Sequence, residues 1–222
     1  DRSQQHFVLE HATFAPGAAS IDQSFIRNPI LEFARQEKHM DLVRACKQGD
    51  RMAQYKLYKA YAKAMYNTSH RIVRDQLQAE DVVQEAFIEV FTRLNQFRED
   101  SSFGYWVKQI VVNRSISALR KIKGGPIITV ADIADAAFQL GMEADNSESW
   151  EQQQQESAEW QVQRIKNAID QLPDGYRMVL ILYLLEGYDH EEIAQILAIS
   201  QATSRTQYIR GKKRLLEMLK TN

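Results

Sequence analysis

The sequence predicts an all-α protein of two small helical domains joined by an acidic linker. Apolar residues recur at spacings of three and four in residues 41–121 and again in residues 161–222, which is the period of an amphipathic helix. Only 9 glycines and 4 prolines occur among 222 residues, so long helices with few turns are expected. Residues 122–160 are acidic and polar, which is typical of a linker that needs a partner to become ordered.

The first domain is expected to contain four helices. A short helix precedes Gly49, and Asp50 is placed to cap a long helix that ends near Val73. A polar loop over residues 95–102 separates the last two helices, and Gly124-Gly-Pro126 stops the fourth. The helices are predicted at residues 42–48, 51–73, 79–94 and 103–121.

The second domain ends in a predicted helix-turn-helix. It starts with a turn at residues 172–175 and a nearly all-apolar, buried helix at residues 176–186. A short helix with Ile193 and Leu197 inward then leads through a tight turn to Ser200, which occupies an N-cap position. The final helix has an outer face suited to a DNA major groove, with cations for phosphate and with Arg, Thr and Ile for base edges. A solvated basic helix on an ordinary bundle is the alternative.

Charge is distributed unevenly, although the net charge is only −1. Residues 41–121 carry 14 basic and 9 acidic side chains, and residues 161–222 carry 9 and 7. Residues 122–160 carry 1 basic and 8 acidic side chains. Two basic blocks suit a polyanion such as nucleic acid, whereas the acidic segment does not.

Several function classes are disfavoured by the composition. No apolar segment reaches the length of a membrane span and no signal peptide is visible, so a cytoplasmic protein is expected. The single cysteine, Cys46, excludes an internal disulfide and is interpreted as a packing residue. The histidines lack metal-ligand spacing and no glycine-rich phosphate loop occurs, so no metal, no cofactor and no catalytic residue is predicted.

Residues 1–40 match neither domain in composition. Pro16 and Pro29 interrupt them, and the apolar residues around Ile30 could form only a small patch. His39-Met40 is also what a cloning junction often leaves, so the arm is either a native extension or a cloning remnant. A native arm would be expected to bind a partner.

Two motifs occur in order, one in each predicted domain. The first comprises Ala79-Glu-Asp-Val-Val-Gln-Glu-Ala-Phe-Ile88, Phe103-Gly-Tyr-Trp-Val-Lys-Gln-Ile-Val-Val-Asn113 and Leu119-Arg-Lys121. The second comprises Leu172-Pro-Asp-Gly-Tyr-Arg177 and the terminal helix-turn-helix. The first motif resembles region 2 of bacterial sigma factors, and the second resembles region 4 of the same family. Their order and the lack of other regions resemble the extracytoplasmic-function group. The resemblance covers about residues 41–121 and 161–219.

The resemblance implies sites for polymerase and for promoter DNA. A helix of region 2 docks on the clamp helices of the β′ subunit, and the matching polar face is Asp81, Gln84 and Glu85, for which a solvated acidic face is the alternative. Phe97 or Tyr105 could stack on a flipped base, while Phe103 and Trp106 are expected in the core. The residues that match the minus-ten reader are Asn95, Gln96, Phe97, Arg98, Lys108, Asn113, Ser117, Arg120 and Lys121. Those that match the minus-thirty-five reader are Thr203, Arg205, Thr206, Ile209, Arg210 and Lys213.

Two departures from the family pattern concern the promoter sequence. Ser117 stands where many members have Asp, and the recognition helix reads Thr203-Ser-Arg-Thr-Gln-Tyr208 where members often have Thr-Val-Lys-Ser-Arg-Leu. Both changes lie among residues that match DNA contacts. The promoter that this chain reads is therefore not given by the resemblance.

The function implied is a sigma factor, which binds core RNA polymerase through its β′ and β subunits and directs it to promoter DNA. An anti-sigma protein or another regulator is a further expected partner, and no insertion into a membrane is expected. The resemblance implies that the acidic linker, residues 122–160, runs through a channel of the polymerase, and a solvated acidic tether is the alternative. The alternative is a helix-turn-helix regulator that binds duplex DNA without polymerase, and an enzyme is the third interpretation.

Overall fold

The computed structural model describes residues 39–128 and 158–221, and it confirms an all-α protein. Most of the N-terminal arm and of the acidic linker lies outside these residues, so the expectations for those segments are not addressed by the fold. The N-terminal domain comprises α1 (Met40–Lys47), α2 (Arg51–Val73), α3 (Gln76–Thr92), a 3₁₀ turn (Leu94–Gln96) and α4 (Phe103–Lys123). The C-terminal domain comprises α5 (Ala158–Gln171), α6 (Asp174–Leu180), a π-helical turn (Ile181–Leu185), α7 (His190–Leu197) and α8 (Gln201–Thr221).

Side-chain caps set the ends of the N-terminal helices. The Asp50 carboxylate accepts hydrogen bonds from the backbone N–H groups of Met52 at 2.7 Å and Ala53 at 3.2 Å, so α2 begins where predicted. Gly124 ends α4 with a φ of 68°, a conformation that glycine adopts without strain. Helix α3 begins three residues earlier than predicted because the Asp75 side chain accepts from the N–H of Gln78 at 2.8 Å.

The C-terminal domain departs from the predicted pattern in two places. The predicted turn at residues 172–175 is shorter, because Pro173 is the N-cap and Asp174 already belongs to α6. The predicted buried helix widens into a π-helical turn, in which the Glu186 N–H donates to the carbonyl of Ile181 at 3.0 Å. Tyr183 and Leu184 lie on the surface there, so the expectation of burial throughout this helix is wrong.

The helix-turn-helix begins with a capping box. The Asp189 carboxylate accepts from the N–H groups of Glu191 and Glu192, both at 2.8 Å, and the Glu192 carboxylate accepts from the Asp189 N–H at 2.9 Å. Ala198 closes α7 in a left-handed conformation with a φ of 56°. Ser200 then accepts from the N–H of Thr203 at 3.0 Å, as its position in the sequence predicts.

One hydrophobic cluster lies inside the N-terminal domain. It joins α1, α2, α3 and α4, and it contains Cys46, for which burial raises the pKa to about 11 and disfavours the reactive thiolate. Phe103 is buried in this cluster and Trp106 packs against it, in agreement with their predicted place in the core.

A second hydrophobic cluster crosses between the two domains. Its N-terminal members are Ile72 and Val73 at the end of α2, Ala79 of α3, and Val112, Ile116 and Leu119 on α4. Ile127 and Ile128, which follow α4, are buried in the same cluster. Its C-terminal members are Ala168, Ile169, Leu172, Met178, Val179, Leu180, Ile181, Leu182, Tyr188, Ile193, Leu197 and Leu215. The domains therefore share one apolar core.

The described residues lack two kinds of feature. Over residues 39–128 and 158–221, no helix is both long and apolar enough to cross a bilayer. Within the same part of the chain, His, Cys, Asp and Glu side chains form no group of three or more that could hold a metal ion.

The capping box at the start of α7 is expected to stabilise the folded protein. Asp189→Ala leaves two N–H groups of α7 without an acceptor and should lower the free energy of unfolding by about 1 kcal/mol. Asp41→Ala, which removes a highly exposed carboxylate from α1, is the matched control and should change it by less than about 0.5 kcal/mol. Urea unfolding followed by circular dichroism measures both, and equal effects of the two variants would contradict the capping role.

Candidate functional site

The outer face of α3 exposes both polar and apolar side chains. Asp81, Gln84 and Glu85 all lie on it and all are exposed, as their spacing predicts. Two apolar side chains that the sequence analysis did not single out share this face: Leu77 is 71% exposed and Ile88 is 68% exposed. Positions 77, 81, 84 and 88 follow each other at helical spacing, so they form one stripe. We call these four residues and Glu85 the α3 face.

Ion pairs connect one edge of the α3 face to α4. The Arg114 guanidinium donates to Glu85 at 2.7 Å and to Glu89 at 2.6 Å, and Arg93 donates to Glu89 at 2.5 Å. Burial alone would raise the pKa of Glu89, but the hydrogen bonds from Arg114 and Arg93 outweigh it and hold this pKa below its usual range. Asp81 has no ion-pair partner among the described residues, so it is the carboxylate most available to another molecule.

The loop that matches the minus-ten reader contains one buried residue. Asn95, Gln96 and Arg98 are exposed. Phe97 is only 3% exposed, and its ring lies 5.5 Å from that of Phe103 between centroids. The expectation that Phe97 is available for stacking on a base is wrong for this conformation, because its ring packs in the core of the N-terminal domain.

The α4 residues that match the minus-ten reader divide into two groups. Asn113, Ser117 and Lys121 are exposed, and the Ser117 hydroxyl donates to the carbonyl of Asn113 at 2.8 Å. Lys108 and Arg120 instead contact the C-terminal domain. The Lys108 ammonium donates to the carbonyl of Glu186 at 2.6 Å, and Arg120 donates to that of Ile196 at 3.1 Å.

Tyr105 also faces the C-terminal domain. Its hydroxyl donates to the Glu192 carboxylate, and its ring lies 6.0 Å from that of Tyr188. Burial, together with the hydrogen bond to Glu192, raises the pKa of Tyr105 to about 12. The side chain that could stack on a base is therefore held by α7 in this conformation.

Helix α8 presents a narrower outer face than the sequence predicts. Arg205, Ile209 and Lys213 are exposed, whereas Thr203 and Thr206 are half-buried. The Thr206 hydroxyl donates to the carbonyl of Ala202 at 2.9 Å. Both terminal nitrogens of Arg210 are shielded from solvent and have no hydrogen-bond acceptor, so this side chain is not presented to DNA in the observed conformation.

An aromatic cluster supports the start of α7 and the middle of α8. The His190 ring stacks on that of Tyr183 at 4.7 Å, contacts that of Tyr208 at 5.6 Å, and its Nδ1 lies 2.9 Å from the Ser204 hydroxyl. Burial and then the positive charge of Arg205 lower the pKa of His190 below its ordinary value of 6.5. His190 is therefore a packing and hydrogen-bonding residue, which the sequence analysis considered only as a metal ligand.

Comparisons with protein families match both domains. Residues 57–124 match the family Sigma-70 region 2, and residues 162–215 match the family Sigma-70, region 4. These two segments contain α3, α4, α7 and most of α8. Every candidate site residue described above lies within these two segments.

Individual relatives extend the match to most of the chain. The RNA polymerase sigma-H factor of Pseudomonas aeruginosa is 29% identical over 180 residues, which is 80% of this chain and 92% of that protein. The ECF sigma-E factor of Escherichia coli is 33% identical over 137 residues, covering 60% of this chain and 69% of that protein. The sigma factor RpoE of Bartonella quintana, solved in complex with the anti-sigma factor NepR, has a TM-score of 0.49 and 20% identity, covering 76% of this chain and 97% of that chain.

This chain belongs to the sigma-70 family of bacterial RNA polymerase sigma factors, in the extracytoplasmic-function group. The predicted membership is confirmed. Members of this family serve as subunits that direct core RNA polymerase to promoters, and this chain is a sigma factor of that kind.

The lowered pKa of His190 predicts how the free energy of unfolding depends on pH. Because the folded state holds this pKa below 6.5, the unfolded chain takes up the proton first as the pH falls. The contribution of His190 to stability is thus complete above pH 6.5 and decreases as the pH falls below that value. His190→Gln, which cannot be protonated, should reduce the loss of unfolding free energy between pH 7.5 and pH 6.0, as measured by urea unfolding. His70→Gln, at an exposed histidine, is the control, and a pH dependence in His190→Gln as steep as that of the unmutated protein would contradict the assignment.

Proposed function

We propose that the α3 face binds the β′ clamp helices of core RNA polymerase, that α4 with the preceding loop reads the minus-ten element, and that α8 reads the minus-thirty-five element. The α3 face carries the proposal, since it is exposed even though the domains are packed together. The same scheme places the protein in the cytoplasm, where polymerase and promoter are found. No step of it makes or breaks a covalent bond in this chain, so the chemistry of transcription belongs to the polymerase.

The side chains of the α3 face favour a protein as its binding partner. Leu77 and Ile88 lie at opposite ends of the stripe, with Asp81 and Gln84 between them. Burying a large aliphatic side chain contributes about 1.5–3 kcal/mol, and the acidic centre favours a basic partner and opposes an acidic one. The face disfavours DNA as its ligand, because the phosphates would be repelled by the carboxylate of Asp81, which is unpaired among the described residues.

The outer face of α8 supports contact with duplex DNA. Arg205 and Ile209 lie one turn apart on the exposed side, and Lys213 follows one turn later. An arginine and an aliphatic side chain can contact base edges, while a lysine farther along the helix can neutralise a phosphate. Arg210 can join this set only after its guanidinium becomes accessible.

Regulation of transcription by duplex binding alone is not favoured. A helix-turn-helix regulator would need only the C-terminal domain, but the family match includes the whole of α3 and α4. The exposed α3 face also has no use in such a regulator. Run-off transcription with core polymerase and genomic promoter fragments separates the two functions, since only a sigma factor initiates transcripts from defined start sites.

The polymerase contact is tested by a charge reversal. Asp81→Arg should weaken binding to core polymerase by at least tenfold, because a like charge would face the basic partner and Asp81 has no ion pair within the described residues to lose. Affinity is measured by fluorescence anisotropy of the labelled chain titrated with core enzyme. Asp41→Arg makes the same charge change at a carboxylate of α1 that is 93% exposed, and it should bind as the unmutated protein does. Equal affinities of the two variants would refute the assignment of the α3 face.

Base and phosphate contacts of α8 should respond differently to substitution. Arg205→Ala should reduce transcription mainly from promoters with one preferred base pair, by a factor that corresponds to about 1–3 kcal/mol. Lys213→Ala should weaken all promoters alike and reduce the dependence on salt. Promoters selected from a random library by the holoenzyme provide the templates. Uniform loss over all templates for Arg205→Ala would show that Arg205 contacts phosphate only.

A further inference from the structure

One side chain of α1 contacts residues 95–102, which we call the reading loop. The Lys47 ammonium donates to the carbonyl of Phe97 at 3.0 Å and lies 5.7 Å from the centre of the Phe97 ring. The same ammonium lies 3.8 Å from the Glu99 carboxylate. A lysine that is 50 residues from Phe97 in the sequence therefore contacts both the backbone and the side chains of this loop.

Helix α1 and the reading loop pack in the same hydrophobic cluster. Val43 and Cys46 of α1 are buried in it, together with Leu94 and Phe97. Lys47 follows Cys46 directly, in the last turn of α1. The burial of α1 thus determines where the Lys47 side chain lies, and that position is beside the loop.

The backbone of the reading loop needs such contacts to keep its conformation. Glu99 has a φ of 62°, in the left-handed region that residues other than glycine seldom adopt. A conformation of this kind persists only where the surrounding structure holds it. The Phe97 ring provides part of that support, because it packs 5.3 Å from the Trp106 ring between centroids. Lys47 provides another part, since it contacts both Phe97 and Glu99.

The residue that Lys47 holds lies between two side chains that are proposed to read DNA. Gln96 and Arg98 are the direct neighbours of Phe97 in the chain, and both are exposed. A movement of the backbone at Phe97 would therefore move both of them. Binding groups have to be held within about 0.5 Å of their working geometry. The backbone position at Phe97 consequently affects which bases Gln96 and Arg98 can contact.

We infer that Lys47 is a positioning residue for promoter recognition, which holds the reading loop in the conformation that presents Gln96 and Arg98 to the minus-ten element. This inference rests on the proposed function, which assigns the loop to that element. The family match begins at residue 57 and does not include α1. Lys47 acts through Phe97 and Glu99 and not by contact with DNA. Its loss therefore changes the preference among bases, and it leaves the affinity for polymerase as it was.

The test measures base preference with the holoenzyme. Lys47→Met removes the charge and the donor but keeps a long side chain in α1. Run-off transcription is compared over promoters that differ by one base pair in the minus-ten element. The preference for the best base should fall at least about fivefold, because a hydrogen bond from a charged donor favours a conformation by a factor of about ten or more. Preferences at the minus-thirty-five element and the affinity for core polymerase should not change.

Uniform loss of transcription over all minus-ten variants would overturn the inference, because it is the result expected if Lys47 contacts phosphate or only offsets the charge of Glu99. Lys56→Met makes the same substitution at an exposed lysine of α2 that has no ion pair within the described residues, and it should leave every preference unchanged. Equal base preferences of Lys47→Met and Lys56→Met would also overturn the inference.

A conservative variant separates the role of the donor from that of packing. Lys47→Arg keeps a cation that can donate to the Phe97 carbonyl, so it should retain most of the base preference that Lys47→Met loses. If Lys47→Arg is no better than Lys47→Met, a donor at this position does not hold the loop and the inference is overturned. Circular dichroism checks that each variant is folded. If Lys47→Met does not fold, Lys47→Gln replaces it, with the same expected result.

Amide hydrogen exchange tests the contact in the free protein. The Phe97 N–H donates to the carbonyl of Leu94 at 3.2 Å, so its exchange reports on the conformation of the loop. Peptides that span the reading loop should exchange several-fold faster in Lys47→Met than in Lys56→Met, while peptides from α3 should exchange alike. Equal exchange of the reading loop in the two variants would overturn the inference.

A substitution within the loop distinguishes failure of this inference from failure of the proposed function. Arg98→Ala removes an exposed side chain that is proposed to read the minus-ten element directly. If Arg98→Ala alters the minus-ten preferences and Lys47→Met does not, the inference is overturned and the proposed function is retained. If neither variant alters them, the assignment of the loop to the minus-ten element fails as well.

Discussion

The contact between Arg177 and the end of α2 is the interaction on which the observed arrangement depends. Burial lowers the pKa of this guanidinium to about 10, which still leaves it charged at neutral pH. A buried charge is tolerated only with good partners, and here they are the Asp174 carboxylate at 3.0 Å and two carbonyls of the other domain. The C-terminal domain supplies the cation and the N-terminal domain supplies the two carbonyl acceptors. Each domain therefore provides the hydrogen-bond partner that a polar group of the other domain needs.

Close packing around this contact explains two glycines of the C-terminal domain. A Cβ atom at Gly175 would lie 3.2 Å from the Gln207 side chain and 3.4 Å from that of Ile128, which belongs to the first residues of the predicted linker. A Cβ at Gly211 would lie 3.0 Å from that of Tyr176, so α6 and α8 approach with no room for a side chain. The start of the linker is thus part of the core, although its composition alone suggests a separate segment.

Local signals in the sequence predict most of the helices and the order of the candidate sites. Asp50, Ser200 and Gly124 act within a few residues, so their caps could be predicted from spacing alone. The spacing of Asp81, Gln84 and Glu85 likewise determines that they share one face of the helix, whatever the tertiary structure, and the folded chain leaves that face exposed. The polymerase-binding role of these residues remains a prediction.

Long-range packing could not be predicted in the same way. Phe97 lies in a polar stretch, and its burial depends on rings that approach only when α4 folds against the loop. Lys108 and Arg120 look like free cations in the sequence, but their partners are backbone carbonyls 78 and 76 residues away. No side-chain pattern marks a carbonyl acceptor. Apolar spacing also cannot tell a residue that is buried within its own domain from one that is buried between domains.

Differential scanning calorimetry of the free protein tests most directly whether the two domains share one core. Shared burial predicts a single cooperative transition, with a calorimetric enthalpy equal to the van't Hoff enthalpy. Arg177→Ala should weaken the coupling and separate this transition into two, because the buried contact between the domains is lost. Two well-separated transitions in the unmutated protein, unchanged by Arg177→Ala, would contradict the account.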